Sequence, residues 1–202
     1  AVTSLRIYPE PIATKEQKEE FQKLYTLGTE QVQKKEYAKA LESFRGASER
    51  IPNYPEVHSR MGQVSLRMKE YATAEKAYRK AIALDPQDYG NYHNLGSCLV
   101  QAMDYDRAIE ILHEAMVLAP GQEAILTNLG TAYIAKNDYP KAKETLEKAL
   151  EINPESVLAH YHLGLAYENL GDPKGADREF KETLKLEPNH TGAKEGRDRV
   201  KK

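Results

Sequence analysis

The chain has 202 residues, enough for one ordinary domain or a short array of repeats. Charged side chains make up 30% of the sequence but the formal net charge is only −2, which argues against nucleic acid as a partner because such proteins present a basic surface. Mean hydropathy is −0.71, and no apolar run approaches the about 20 residues of a bilayer-spanning helix, so direct membrane insertion is not expected.

The first predicted element is an extended N-terminal arm over residues 1–13. Pro9 and Pro11 oppose helix formation there. The arm is interpreted either as an unstructured tail or as a segment whose apolar side chains dock on a groove or on another copy of the chain. The chain starts at Ala1 without a methionine, so the compartment stays open: cytoplasmic, or periplasmic or membrane-anchored if a signal or anchor preceded Ala1.

Helices are predicted to begin near Lys15, because Thr14 and Gln17 form the T-x-x-Q pattern of a capping box. From there the sequence repeats itself. Three residue types keep a period of 34 positions over five units: Pro52, Pro86, Pro120, Pro154 and Pro188; Gly28, Gly62, Gly96, Gly130 and Gly164; Ala40, Ala74, Ala108, Ala142 and Ala176. A fixed period of this length indicates a stacked repeat architecture.

Each unit carries two stretches of helical periodicity, with Phe21 taken as position 1 of the first unit. In helix A, positions 4, 7, 8 and 11 share one face, and the glycine at position 8 allows a partner helix to approach closely. In helix B, small residues at positions 20 and 27 flank a large residue at position 24. Asp104, Asp138 and Asp172 are predicted to cap helix B, and the proline at position 32 ends it.

These residues resemble the tetratricopeptide repeat (TPR) family over residues 21–190, although the tryptophan that the family prefers at position 4 is absent. The resemblance implies an all-α fold, a right-handed α-solenoid of antiparallel helix pairs. The TPR domain is predicted at residues 14–190, with repeats at 21–54, 55–88, 89–122, 123–156 and 157–190. Residues 191–202 are predicted to form a polar C-terminal capping helix and tail. Polar residues in the first repeat indicate a capping unit.

The same resemblance implies that ligands bind a concave groove lined by helix A positions 2, 5, 6, 9, 12 and 13. The predicted partner-binding residues at these positions are Tyr25, Arg60, Gln63, His93, Asn94, Ser97, Asn128, Thr131, Tyr161 and His162. Asn94 and Asn128 are similar to the asparagine ladder of O-linked N-acetylglucosamine transferase, where such side chains hold a peptide backbone. The lysine and asparagine pair of chaperone-binding TPR domains is absent, so binding of chaperone tails through that clamp is not predicted.

Motifs for catalysis, phosphate binding or metal binding were not found, so the sequence predicts no enzyme, no cofactor and no metal site. His160 and His162 are two residues apart and point to different sides of a helix. Cys98 is interpreted as an inert core residue, because no motif places a base beside it.

The leading hypothesis is therefore a non-enzymatic scaffold or adaptor that binds a partner peptide or helix in the groove. The alternative is a structural assembly protein that self-associates as a homo-oligomer, through its terminal repeats or its N-terminal arm.

Overall fold

The computed structural model describes residues 13–201, so the predicted N-terminal arm lies outside the described residues except for Ala13. The described part of the chain is all-α and contains no strand. Its helices are α1 (Lys15–Gln33), α2 (Tyr37–Arg50), α3 (Pro55–Arg67), α4 (Tyr71–Leu84), α5 (Tyr89–Gln101), α6 (Tyr105–Leu118), α7 (Glu123–Ala135), α8 (Tyr139–Ile152), α9 (Val157–Asn169), α10 (Pro173–Leu186) and α11 (Thr191–Val200). The predicted all-α solenoid is confirmed.

The first helix begins at the predicted capping box. Thr14 Oγ1 accepts a hydrogen bond from Gln17 N at 3.2 Å, and Thr14 N donates to Gln17 Oε1 at 2.8 Å. These two bonds satisfy backbone N–H groups that have no partner within the helix. Helix α1 is consequently 19 residues long, whereas the A helices α3, α5, α7 and α9 have 13 residues each.

The regular spacing of glycine along the chain reflects close contact within each helix pair. A Cβ atom added to Gly96 would lie 2.5 Å from Leu112 Cγ, and one added to Gly62 would lie 2.6 Å from Tyr78 Cε1. Both distances are too short for carbon atoms in contact. Position 8 must therefore be glycine because the large side chain at position 24 fills that space, even though a mid-helix glycine costs about 1 kcal/mol relative to alanine.

The turn between helices A and B uses a left-handed residue at position 15 of every repeat. These residues are Lys35, Lys69, Met103 and Asn137, with φ between 60° and 62°, and Gly171 with φ of 78°. The following residue donates its N–H to the carbonyl oxygen five positions earlier. In the second repeat, for example, Glu70 N donates to Ser65 O at 2.9 Å. This bond is typical of a Schellman C-cap, a position where glycine is the favoured residue.

Each B helix ends two residues before the repeated proline. Asp85, with φ −137° and ψ 88°, precedes Pro86, and Ala119, with φ −145° and ψ 78°, precedes Pro120. Proline disfavours helical geometry at the preceding residue, so the predicted stop is confirmed. The predicted aspartate caps are only partly correct. Asp138 and Asp172 accept backbone hydrogen bonds, but Asp104 makes no cap bond and its carboxylate pairs with Arg107 at 2.9 Å.

Stacking of the helix pairs produces a row of five core clusters along the described residues, and a groove beside them. Each of the helices α2, α4, α6 and α8 contacts the A helix before it and the A helix after it. The A helices also contact one another directly, α3 with α5, α5 with α7 and α7 with α9. Because the A helices lie closest together, they form the inner, concave side of the solenoid.

The C-terminal helix α11 packs against both α9 and α10. Ala193 is fully buried against Phe180, and Arg197 and Arg199 pair with Asp177 at 2.9 Å and with Glu168 at 2.6 Å. Thr191 lies 34 residues after Val157, so α11 occupies the place that helix A of a sixth repeat would take. The last repeat is thereby covered, with its charged side chains on the outside.

Candidate functional site

The concave side of the solenoid exposes part of each A helix. All ten residues predicted to bind a partner lie on A helices, and all are half-buried, His162 most deeply. The structure does not bring them together into one site. Eight of them divide into a group at repeats 1–3, a group at repeats 3–5 and a group beneath α11, whereas Ser97 and Thr131 belong to none of these groups.

The first group borders a pocket of about 420 Å³, which we call the N-terminal pocket. Its lining residues are Thr29, Val32, Phe44, Arg60, Gln63, Val64, Leu66, Arg67, Tyr78 and Asn94. Polar groups of α3 and α5 therefore surround a floor of apolar and aromatic side chains. A pocket with an apolar floor and a few polar groups is the usual form of a ligand site.

Arg60 is held in position by two neighbours. Its Nε lies 2.9 Å from Glu56 Oε1 and donates to Tyr25 Oη at 3.3 Å, while Tyr25 Oη donates to the same carboxylate oxygen at 3.3 Å. Burial raises the pKa of the Tyr25 hydroxyl, and the hydrogen bond from Arg60 opposes that rise. Tyr25 thus stays protonated at neutral pH and orients the guanidinium of Arg60 rather than facing a ligand by itself.

Arg67 is the second cation of the N-terminal pocket. Its side chain is exposed at the end of α3, and it forms no ion pair with any carboxylate among residues 13–201. Gln63 lies one turn earlier, where its amide oxygen accepts from Arg60 Nη1 at 3.4 Å. The pocket therefore offers one guanidinium that is partly neutralised by Glu56 and one that is not.

The second group borders a pocket of about 370 Å³, which we call the C-terminal pocket. Its lining residues are His93, Glu123, Ala124, Thr127, Asn128, Ser156, Val157 and Leu158. Asn128 Nδ2 lies 2.9 Å from His93 Nε2, so the amide donates to an unprotonated ring nitrogen. Burial lowers the pKa of His93, which keeps the ring neutral and able to accept.

Glu123 is the acidic group of the C-terminal pocket. Its Oε1 accepts hydrogen bonds from the hydroxyls of Thr127 and Ser156, each at 2.6 Å. Its Oε2 receives no hydrogen bond from a described side chain. The adjacent Leu158 is 56% exposed.

Two of the predicted groove residues are less free to bind a ligand. Thr131 donates its hydroxyl to the Thr127 carbonyl oxygen at 2.9 Å, inside its own helix. Ser97 lies on α5, is half-buried and lines neither pocket.

The third group lies where α11 covers the last repeat. The ring of Tyr161 packs against His190 with a centroid distance of 4.4 Å. Burial, with a smaller contribution from His190, lowers the pKa of His162 to about 4, and its Nδ1 is buried with no hydrogen-bond partner among the described residues. This neutral, enclosed ring contributes to packing between α9 and its neighbours.

The sequence prediction omitted three features of these pockets. Glu123 and Leu158 stand at positions 1 and 2 of their repeats, and the floor of the N-terminal pocket comes from position 24 of helix B. Position 2 is one of the groove positions that the family implies, so the sequence could have been used to predict Leu158 as a groove residue. Position 1 is not in that set, and neither is position 24, which supplies the aromatic side chains of the floor.

The remaining reactive side chains have structural partners. Burial raises the pKa of the Cys98 thiol to about 11, and its Sγ lies 3.6 Å from the Tyr71 carbonyl oxygen. His160 Nδ1 lies 2.8 Å from Glu179 Oε2, and its Nε2 lies 3.0 Å from the Pro154 carbonyl oxygen. Between residues 13 and 201, no three histidine, cysteine or acidic side chains cluster in a way that would hold a metal ion.

Within the same range of residues, no helix combines the length and the apolar character needed to cross a membrane.

The fold and its concave face define a helical-repeat protein, a class that presents an inner surface to other molecules. Sequence profiles described as tetratricopeptide repeat match residues 31–97, 92–124 and 157–190, and one described as TPR repeat matches residues 130–171. The chain is a tetratricopeptide repeat protein, and its repeat fold is that of a protein-interaction scaffold. No curated protein sequence matches it significantly.

Solved TPR structures resemble the chain over most of its length. The crystal structure of MamA protein is 25% identical with a TM-score of 0.75, covering 85% of this chain and 93% of that one. MamA 41-end from Desulfovibrio magneticus RS-1 is 22% identical with a TM-score of 0.79, covering 89% and 99%. YrrB, described as a TPR protein with an unusual peptide-binding site, is 18% identical with a TM-score of 0.71, covering 87% and 90%. These likenesses support the fold.

Proposed function

We propose that this protein is a non-catalytic adaptor that binds an extended or helical segment of a partner protein in its concave groove. The observation that carries the proposal is the N-terminal pocket, where Arg60, Gln63 and Asn94 from the predicted set converge over an apolar floor. Amide side chains offer a donor and an acceptor to a peptide group, and the apolar floor accommodates a side chain of the bound segment.

Preorganisation also supports this proposal. Arg60 is fixed by Glu56 and Tyr25, and Asn128 is fixed by His93, so little side-chain freedom is lost when a ligand binds. The groove residues stand on helices whose spacing is set by the buried core. The mechanism is presentation of fixed side chains to a partner, with no bond made or broken.

Site-specific photocrosslinking tests the proposal. A benzoylphenylalanine placed at Gln63 faces the groove, whereas one placed at Arg45 on α2 is exposed and lines neither pocket. In extracts of the native source, we expect mass spectrometry to identify a partner protein crosslinked from position 63 and not from position 45. Equal crosslinking from both positions, or none from position 63, would contradict binding in the groove.

Self-association is the second candidate function, and one observation favours it. Leu27 on the outer face of α1 is 41% exposed, where the corresponding Leu163 of the last repeat is 3% exposed. An apolar side chain that the described residues leave partly exposed at the end of a solenoid is suited to contact another copy. In the same experiment, adducts between two copies of the chain, formed from a crosslinker at Thr26, would support this alternative.

A further inference from the structure

The two pockets of the groove carry opposite charge. The N-terminal pocket is lined by Arg60 and Arg67 and by no acidic side chain, although Glu56 contacts Arg60 from outside the lining. The C-terminal pocket is lined by Glu123 and by no lysine or arginine. Its histidine, His93, has a lowered pKa and therefore adds no positive charge at neutral pH. The groove thus carries positive charge in its N-terminal pocket and negative charge in its C-terminal pocket, although the net charge of the whole chain is only −2.

We propose that the groove selects an extended partner segment that carries an acidic side chain at one end and a lysine or arginine about six residues away. The acidic side chain binds Arg67 and Arg60 in the N-terminal pocket, and the basic one binds Glu123 in the C-terminal pocket. This inference rests on the proposed function, since it specifies the chemistry of the segment held in the same groove.

The acidic end of the segment matches the N-terminal pocket in three ways. Arg67 has no carboxylate partner among residues 13–201, so a ligand carboxylate would meet an unneutralised guanidinium. Gln63 and Asn94 stand beside it and hydrogen-bond the backbone next to that carboxylate. The apolar floor, which includes Val64 and Leu66, receives a neighbouring apolar side chain. Guanidinium groups bind carboxylates well because their N–H groups form a planar fork.

The basic end of the segment matches the C-terminal pocket. Glu123 is fixed by the hydroxyls of Thr127 and Ser156, which leaves Oε2 for a ligand. The exposed Leu158 and the neighbouring Val157 provide an apolar surface beside it. Lysine and arginine lay their aliphatic stems on such a surface while the charged end reaches a carboxylate. The exposure of Leu158 thus has a role in binding.

The spacing of the two charges follows from the spacing of the helices. The N-terminal pocket centres on α3 and the C-terminal pocket on α7, with α5 between them. Packed helices lie about 10 Å apart, so the two pockets are separated by about 20 Å. An extended chain advances about 3.3 Å per residue, which makes the separation about six residues.

Selection from a random library of twelve-residue peptides displayed on phage tests this inference with the full chain as the target. We expect the retained peptides to carry an acidic and a basic residue about six positions apart. Their affinities should fall about tenfold on Arg67→Glu or Glu123→Gln. The amide oxygen of glutamine replaces the carboxylate oxygen Oε1 as the acceptor for the hydroxyls of Thr127 and Ser156, so the pocket stays assembled. Arg45→Glu and Glu110→Gln make matching changes at exposed helix positions outside both pockets and should change affinity little.

A double-mutant cycle then assigns each charge to its pocket. Replacing the peptide's acidic residue by its amide should abolish the effect of Arg67→Glu and leave that of Glu123→Gln intact. Circular dichroism spectra and melting curves establish that each variant is folded.

The outcomes separate this inference from the proposed function. Peptides that bind without the charge spacing, but lose affinity in Gln63→Ala with Asn94→Ala, would overturn the inference and leave groove binding in place. Retention of no peptide, or of peptides indifferent to every groove substitution, would overturn both.

Discussion

The two ends of the solenoid are closed in different ways. At the N-terminal end, the outer face of α1 carries Lys23 and Glu30, and both are exposed. At the corresponding positions of the last repeat, Ala159 and Ala166 are fully buried. At the C-terminal end, the outer face of the last helix pair is covered instead, because α11 takes the place of a further A helix.

This difference shows that a repeat array can end by changing its side chains or by adding half a repeat. Polar substitution leaves a face in water and needs no further element. Where α11 covers the last repeat, the facing side of α10 can stay apolar, and its side chains, including Phe180, are buried. Stability should therefore depend strongly on single side chains at the C-terminal end and weakly at the N-terminal end. The following predictions test that comparison.

Phe180→Ala should have the largest effect. Phe180 is fully buried and fills the space beside Gly164 and Gly196, where an added Cβ would lie 2.6 Å from its ring in each case. We expect a loss of about 3–5 kcal/mol in the free energy of unfolding, measured by urea denaturation. The matched change Leu27→Ala on the open face of α1 should cost less than about 1 kcal/mol. Similar losses in the two variants would show that the ends are equally dependent on packing.

Acidification should destabilise the C-terminal end through His162. Its pKa is about 4 in the folded protein, below the value of about 6.5 expected when unfolded. Between these values the unfolded chain binds a proton that the folded chain does not, so the free energy of unfolding falls as pH falls from about 6.5 to about 4. The contribution reaches up to about 2 kcal/mol at pH 5.

The first repeat has Thr26 at the equivalent position, which does not titrate. Denaturation at pH 7 and pH 5 should show a smaller loss in His162→Gln than in the unaltered protein. An unchanged pH dependence in that variant would exclude His162 as its source.

The turns at the two ends should respond in opposite directions. Lys35 in the first repeat has φ of 60°, which strains a residue with a side chain, whereas the last repeat has Gly171 at the same position with φ of 78°. We expect Lys35→Gly to raise the free energy of unfolding by about 0.5–1 kcal/mol and Gly171→Ala to lower it by about 1 kcal/mol. Thermal melting curves measure both. A stabilising Gly171→Ala would contradict a left-handed requirement at that turn.

Most of the fold followed from periodic residues. The glycine at position 8, the large side chain at position 24 and the proline at position 32 act through local geometry or through contacts that recur in every unit, so their roles were predictable. The left-handed turns were not predicted, because four of the five residues there are not glycine. The absence of a cap bond at Asp104 also escaped prediction, because the sequence does not show that Arg107 competes for its carboxylate.

The candidate site was less predictable than the fold. The family positions correctly led to half-buried residues on the A helices, but not to their grouping. Asn94 and Asn128 occupy the same position of successive repeats, yet one lines the N-terminal pocket and the other bonds to His93 in the C-terminal pocket. His162 also shares that position, but it is enclosed beneath α11. Neighbouring helices decide these environments, and a single repeat contains no information about them.

The sequence by itself determined that this protein is a five-repeat solenoid. Thirty-four-residue periodicity specifies helix pairs whose apolar faces are buried only by stacking, so the pattern and the architecture are linked directly. The tertiary structure alone decided where the groove is charged and which polar residues are free. Those properties arise between side chains that are far apart in sequence, such as Tyr25 with Arg60 (35 positions) and Glu123 with Ser156 (33 positions), and they depend on distances that only the stacked helices fix.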